Sequence, residues 1–338
     1  MSIVMTGGGT GGHLAIIKAV KEQIIHEELV YIGSNNGQDR QWFEHDSDFS
    51  ATYFLETRGV VNQGALGKVK SLYMLSKATL QAVKLLRKHK AKVVFSVGGF
   101  SSAATSFAAK YLNIPLVIHE QNAAQGSLNR FLRPYAAVFI SSYLEESPIK
   151  AYPVKEIFFD NARIRKKVQT VIFLGGSQGA KAINTLALEI APVLKERDIR
   201  IIHQAGEKNI DEVGSAYEAL GIEAEVFGFT THLADYMKDA DLAIARAGAS
   251  TLWELAATAL PALFIPYPYA AGDHQYYNAL FLEEKELAWI MREEEIDTEK
   301  VLALLDEDLE SKSRGLMEIV EKDGSKKIAA LLTDYAKI

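Results

Sequence analysis

The chain opens "SIVMTGGGTGGH", residues 2–13. An apolar run, Ile3-Val4-Met5, enters a loop in which Gly7, Gly8, Gly9, Gly11 and Gly12 surround one hydroxyl residue, Thr10, and His13 follows. Glycine loses more conformational freedom on folding than any other residue, so a run of them marks a backbone that must bend unusually or be approached closely. A short apolar strand, a glycine loop and then helical spacing make the first βα step of a parallel sheet. The amides at the start of that helix are suited to a phosphate or a sugar.

The same alternation continues outward from this stretch. Strand-like runs fall at 2–6, 29–33, 93–97, 115–119 and 137–141, and, after a gap, at 170–174, 199–205, 224–229, 241–245 and 260–266. Helical spacing fills the intervals, as with Leu72, Leu75, Thr79, Val83 and Leu86. Short buried strands separated by helices imply an α/β protein with doubly wound parallel sheets. Two groups of strands imply two domains. The second group repeats the opening, with "VIFLGGSQGA" at 171–180, and a third glycine loop, "VGGFSSA", lies at 97–103. The aperiodic stretch 150–168, with Pro153, reads as the linker. The expected division is 1–162 and 163–338, with the last helix able to pack back on the first domain. Ligands of such sheets bind beyond the carboxyl ends of the strands, so two sheets facing across a cleft would line it with these loops.

Bulk composition narrows the class. The 338 residues are 48% hydrophobic and 24% charged, as in a globular protein, and contain no cysteine. That excludes a disulfide framework and thiolate chemistry and suits a reducing compartment. No apolar stretch approaches the roughly 18 residues of a transmembrane helix, and the N-terminus does not read as a signal peptide. Charge is unevenly placed. Residues 57–136 carry twelve Lys and Arg against a single acid, Glu120, on a chain of net charge −6. A basic face on an acidic protein points to an anionic surface.

Gly7, Gly9 and Gly12 satisfy G-x-G-x-x-G, but the second strand is followed by Ser34-Asn35-Asn36-Gly37-Gln38, without the acid that would hold a dinucleotide ribose. His13, one residue into a helix after an open loop, suits a general base, because its ordinary pKa lies near 6.5. "ARAGASTLWE", 245–254, runs from a strand through a tight loop into a helix carrying Glu254. Its amides and hydroxyls suit a diphosphate and its carboxylate suits a vicinal diol, while Thr251 with Glu254 also fits an ordinary capping box. Asp239-Ala240-Asp241 matches a D-x-D metal pattern but reads as the polar lead-in to a strand, so no metal site is expected.

Five segments, "GGTGGH", "IHEQN" (118–122), "GGSQGA", "RAGAST…E" (246–254) and "DHQYYNA" (273–279), occur in the order and spacing of the MurG family. The chain resembles that family over essentially its whole length. The resemblance implies a GT-B fold of two Rossmann-like domains. It implies an inverting glycosyltransferase of peptidoglycan synthesis, moving GlcNAc from UDP-N-acetylglucosamine to the C4 hydroxyl of MurNAc in lipid I, without a cofactor. It further implies that Thr10, Gly11, Gly12 and Asn122 approach the donor from the first domain. Arg165 and Ser177 would meet the diphosphate, Phe229 and Thr230 the uracil, and Ala249, Ser250, Thr251, Leu252, Trp253 and Glu254 the phosphate, ribose and sugar. Gln275 with Asn278 would read the sugar hydroxyls. His13 is the catalytic candidate, and Glu120 a second one that also reads as structural.

The chain departs from the family where Leu14-Ala15 replaces a common proline and where "DNARIR", 160–165, replaces a Gly-Asn-Pro-Val-Arg type segment. The order Ile164-Arg165 favours Arg165 over Arg163 as the phosphate ligand.

A lipid-linked acceptor also accounts for the basic segment. Residues 65–90 interleave Leu66, Val69, Leu72, Tyr73 and Leu75 with Lys68 and Lys70, a pattern for docking at an anionic membrane surface. The implied location is the cytoplasmic face of the plasma membrane, held peripherally. An amphipathic helix with a solvated lysine face is the plainer alternative. Nucleic acid is not expected, for no aromatic platform accompanies the lysines. Two other functions share the donor motifs: another GT-B enzyme such as a UDP-GlcNAc epimerase, and a non-catalytic UDP-sugar-binding protein.

Overall fold

Among the described residues, twelve short strands carry the architecture. The computed structural model describes residues 2–57, 65–176 and 178–337, and for 65–69 the backbone alone. The chain divides into two compact units, Met1–Val154 with Asp323–Ile338, and Lys155–Lys322. The boundary therefore falls earlier than 162/163, and the last helix, Gly324–Lys337, belongs to the first unit.

In the first unit the strands are β1 (Ser2–Thr6), β2 (Glu28–Ser34), β3 (Ala51–Leu55), β4 (Ala91–Ser96), β5 (Leu116–Glu120) and β6 (Val138–Ser141). They pair in the order β3-β2-β1-β4-β5-β6, every pair parallel. The second unit has β7 (Thr170–Leu174), β8 (Arg200–Gln204), β9 (Ala224–Phe227), β10 (Leu242–Ala245), β11 (Ala262–Phe264) and β12 (Trp289–Ile290), in the order β12-β11-β10-β7-β8-β9. Both are the doubly wound order, in which the strand sequence reverses beside the first strand. β3 and β12 were not among the expected strands. Both are edge strands that lack the fully buried apolar run of a central strand: β3 is half-exposed along four of its five residues and β12 has only two.

The central strands are apolar because helices cover both faces. β1 and β7 are buried at every residue. The helix Lys181–Glu196 shows how the covering layer is specified. Ile183, Leu186, Ala187, Ile190, Ala191 and Leu194 recur at helical spacing and are buried against Val171, Phe173 and Ile201. Burying each large side chain of this kind contributes about 1.5–3 kcal/mol.

Candidate active site

The glycine loop after β1 is folded onto its own unit. Gly7, Gly8 and Gly9 all have positive φ. A Cβ at Gly8 would lie 2.7 Å from the Asp39 carboxylate, and one at Gly9 would lie 2.7 Å from the Phe100 ring. Asp39, which sequence reasoning passed over, is the organising group. It is fully buried, and its carboxylate accepts from Gly9 N at 2.6 Å, Ser34 N at 3.0 Å and the Tyr31 hydroxyl at 3.0 Å. The first three glycines thus answer to close packing, and the Gly9 amide is already spent on Asp39. What remains open is the helix start, where Thr10 is exposed at the N-cap of the helix Gly11–Lys21 and Gly11, Gly12 and His13 form its first turn.

His13 is held on both ring nitrogens. Thr10 Oγ1 lies 2.9 Å from Nδ1, and the Gln121 amide nitrogen lies 3.1 Å from Nε2. Gln121 follows β5, so the "HEQN" segment meets the glycine loop at the carboxyl ends of neighbouring strands. The adjacent Glu120 does other work. Its buried carboxylate accepts from Asn122 N at 3.1 Å, Gly126 N at 2.9 Å and Asn129 Nδ2 at 2.9 Å. Burial raises its pKa and these donors oppose the rise. With both oxygens tied to the 121–126 loop, Glu120 is a support for Asn122 and Gln121, and the catalytic reading of it is corrected. His119, fully buried against the Tyr152 ring, is pushed down to about 3 by burial and by nearby His13, and stays neutral.

In the second unit the expected donor residues also gather at the carboxyl ends of the strands. The loop after β7 spans Gly175–Ala180, with Ser177 outside the described residues; Gly176 and Gly179 have φ near +78°. After β9, Phe229 holds its ring 60% exposed, while its amide donates to Glu207 Oε1 at 2.6 Å and Thr230 Oγ1 accepts from His232 N. After β10, the helix Ala249–Ala257 begins at Gly248, an N-cap without any side-chain hydrogen bond. The capping-box alternative for Thr251 and Glu254 is therefore absent. Among the described residues a Cβ at Gly248 would meet nothing within 4 Å, so there is room beside the helix start. Glu254 stands half-buried behind them, and burial pushes its carboxyl up to about 8, with Lys155 pulling weakly the other way. Leu252 and Trp253 are buried, so those two can offer main-chain groups only.

Two expected ligands are withdrawn. Arg165 is fully buried, and its guanidinium donates to the carbonyls of Met237, Ala240, Arg163 and Thr258. Three of these carbonyls, of Met237, Ala240 and Thr258, lie at helix ends and carry partial negative charge, which is why a cation is tolerated there. Burial lowers its pKa to about 9, still charged at neutral pH. Arg163 is likewise engaged, with Lys238 O, Ala240 O and Asp241. Both guanidiniums are thus occupied by protein acceptors. Asn278 is fully buried and donates to Ala247 O at 3.2 Å, so it holds the 246–248 loop, while Gln275 accepts from Tyr267 N. Asp241 takes Arg163 and the Gln169 and Thr170 amides, at the opposite end of the sheet from these loops.

The basic helix, Ala65–Lys88, turns a mixed face outward. Lys70, Tyr73, Lys77, Leu80 and Lys84 recur at helical spacing and are exposed, Tyr73 at 71%. Leu72 is also exposed. Leu75 packs on the core of the unit and is removed from the docking set; the side chains of Leu66, Lys68 and Val69 lie outside those described. Sequence reasoning missed three further exposed aromatics, Tyr111, Phe131 and Tyr135, with Lys110 Nζ 3.1 Å from the Tyr135 ring centre. They lie on separate helices, so no periodicity joins them. Among the described residues no helix is long and apolar enough to cross a membrane.

Comparison with known proteins bears on all of this. The profile of the glycosyltransferase family 28 N-terminal domain matches residues 3–140, and that of the C-terminal domain matches 170–332. A UDP-N-acetylglucosamine–N-acetylmuramyl-(pentapeptide) pyrophosphoryl-undecaprenol N-acetylglucosamine transferase of Sulfurovum sp. is 80% identical over the full length of both chains. The protein of that name from Campylobacter jejuni subsp. doylei is 49% identical, over 96% of this chain and 95% of its own. The crystal structure of Acinetobacter baumannii MurG superposes with a TM-score of 0.79 at 26% identity, over 98% of this chain and 99% of that one. The UDP-GlcNAc 2-epimerase of Neisseria meningitidis, at 11% identity and a TM-score of 0.62 over the whole of both chains, shares the fold.

Proposed function

This chain belongs to the MurG family of N-acetylglucosaminyltransferases, which carry GlcNAc from UDP-GlcNAc to lipid I to give lipid II, and from that premise we propose how its residues divide the reaction. The second unit holds the nucleotide sugar. Phe229 covers the uracil beside Thr230, and the amides of Ala249, Ser250 and Thr251 receive phosphate at the helix N-terminus, where the helix dipole favours an anion. Glu254 accepts the ribose diol, and Gln275 reads the sugar hydroxyls.

With Arg165 and Arg163 committed elsewhere, backbone amides carry the main share of the diphosphate charge, and they cost no reorganisation as that charge grows. In the first unit, Thr10, Gly11, Gly12 and Asn122 are the groups we assign to the reacting sugar. His13 takes the proton from the acceptor C4 hydroxyl as that oxygen attacks the anomeric carbon opposite the departing UDP.

The observation that carries the donor assignment is the helix start at Gly248, without a side-chain cap, with a half-buried carboxyl of raised pKa, Glu254, one and a half turns behind it. The acceptor is lipid-linked, so the exposed Lys70, Tyr73, Lys77, Leu80 and Lys84 face, with Tyr111, Phe131 and Tyr135, docks on the cytoplasmic leaflet. Aromatic and basic side chains together suit that interface.

Transfer of label from UDP-[14C]GlcNAc to a short-chain lipid I analogue tests the whole assignment. Label is expected in the lipid product. Conversion of free UDP-GlcNAc to its epimer without transfer would overturn it.

A further inference from the structure

Beneath the donor loops of the second unit runs a buried chain of four hydrogen-bonding groups. The Ala205 carbonyl, just past β8, accepts from Asn184 Nδ2 at 3.1 Å; Asn184 Oδ1 lies 3.1 Å from His203 Nε2; His203 Nδ1 lies 2.9 Å from the Tyr217 hydroxyl. Asn184, His203 and Tyr217 are all more than nine-tenths buried. The direction of every bond is forced. A carbonyl only accepts, so Asn184 turns its amino group to Ala205 and its oxygen to His203. That oxygen only accepts, so His203 carries its hydrogen on Nε2, and its bare Nδ1 takes the Tyr217 proton. Burial pushes the imidazole down to about 4 and the phenol well above its ordinary value, which holds one protonation state across the neutral range.

The far end of this chain supports two donor loops at once. Gly206 and Gly179 are back to back: a Cβ at Gly179 would fall 2.5 Å from Ala205 O, and one at Gly206 would fall 2.3 Å from Gly179 N. Asn209 Nδ2 also donates to Ala205 O at 3.1 Å, and Glu207, next in the turn, receives the amide of Phe229. Moving the Ala205–Gly206 peptide therefore moves both the 175–180 loop and the ring that covers the base.

We propose that Tyr217 and His203 are positioning residues of the nucleotide-sugar site: by fixing one imidazole tautomer they fix the Asn184 amide and, through it, the turn on which the phosphate and uracil loops rest. This rests on assigning those loops to the donor. Neither residue touches the substrate. Losing the imidazole leaves Asn184 Oδ1 buried without a donor, and the amide can recover one only by shifting away from the geometry in which it holds the Ala205 carbonyl.

The test uses the full chain. In His203→Phe the Kd for UDP by calorimetry and the KM for UDP-GlcNAc should both rise about tenfold, the size of one lost buried hydrogen bond. The kcat at saturating donor and the KM for the lipid acceptor should stay within twofold. His203→Gln, whose amide can donate to Asn184 and accept from Tyr217, should return within threefold of the parent. Ring 15N shifts should show a single Nε2–H tautomer for His203 in the parent and in Tyr217→Phe, because Asn184 Oδ1 still accepts from Nε2, and its loss in Asn184→Ala, whatever the site binds. Should His203→Phe not fold, Tyr217→Phe supplies the affinity reading, with a rise of at least threefold expected. A purely structural role would lower the melting temperature and spare the KM. If Glu254→Gln and Phe229→Ala weaken UDP binding while His203→Phe and Tyr217→Phe do not, the positioning role is overturned and the donor site stands. If none of the four weakens it, the donor assignment fails and the inference falls with it.

Discussion

The amide nitrogen of Gln121 lies 3.1 Å from Nε2 of His13, two residues separated by 108 positions in the chain. An amide N–H only donates, and it lies nearer to Nε2 than to Nδ1, at 3.1 against 3.4 Å, while Thr10 Oγ1 lies 2.9 Å from Nδ1, the arrangement that suits a bare Nε2 and an Nδ1–H directed at Thr10. The neutral imidazole is thereby oriented with its basic nitrogen capped by a neutral donor that an acceptor hydroxyl can displace.

His13→Ala should lower turnover by about 10²–10⁴ with little change in UDP affinity. Gln121→Glu is the sharper probe. A carboxylate beside the ring favours the imidazolium, which raises the pKa of His13 and removes base at low pH. The acidic limb of the kcat/KM profile should move up by about one pH unit. A limb that stays in place would separate Gln121 from the base.

Glu254 couples nucleotide binding to protons. Its pKa of about 8 means that the free protein carries this carboxyl mostly protonated at neutral pH. A diol donates two hydrogens, which favours the carboxylate. Binding of UDP-GlcNAc at pH 7 should therefore release up to one proton, seen as a dependence of the calorimetric heat on the buffer's ionisation enthalpy, and Glu254→Gln should abolish it. The stability consequence follows from the same shift. A carboxyl whose folded pKa exceeds its unfolded one gives stability that is full below the unfolded value, near 4.5, and is lost as pH rises through about 8. The parent should melt progressively lower than Glu254→Gln between pH 5 and pH 9, while at pH 5 the two should agree closely.

Arg165 should behave as a structural clamp. Arg165→Met removes donors from the buried carbonyls of Met237, Ala240 and Thr258. Each unsatisfied carbonyl costs about 1–3 kcal/mol, so thermal stability should drop sharply. Arg165→Lys, which keeps charge but not the planar fork, should fall between. At a temperature where Arg165→Lys is folded, its Kd for UDP should match the parent; a tenfold weaker Kd would restore the diphosphate role.

Membrane docking should respond to charge on the outward face of the helix Ala65–Lys88. Each basic residue near an anionic surface contributes about 1 kcal/mol. Lys77→Glu with Lys84→Glu should lower partitioning onto vesicles containing phosphatidylglycerol by at least tenfold, leave neutral vesicles unaffected, and spare transfer to a detergent-dispersed acceptor. Equal loss on neutral vesicles would move the docking face elsewhere.

Much of the fold was legible because it rests on local pattern. β1 and β7 are buried on both faces and read as unbroken apolar runs, and the glycine loops that follow them mark the strand-to-helix turns. β3 and β12 were not, since an edge strand is held by one neighbour and needs no such run. The site was legible where a motif is contiguous, as with His13 beside Thr10 or Glu254 behind Gly248. It was illegible where the decisive partner is remote. Asp39 gives no local sign that it receives the Gly9 amide, and Arg165 resembles a phosphate ligand until the carbonyls of Met237 and Thr258 surround it.

The central strands, the two-unit plan and the set of loops that follow the strands can be read from the periodicity and glycine placement of this sequence, because each is marked by patterns within a few residues; the order in which the strands pair is a matter of remote contacts. Which polar groups within those loops stay free for a ligand was decided by tertiary structure alone. Hydrogen-bond capacity is finite, and only the folded chain shows which donors and acceptors are already used: the Gly9 amide by Asp39, both Glu120 oxygens by the 121–126 loop and Asn129, and the Arg165 guanidinium by helix ends.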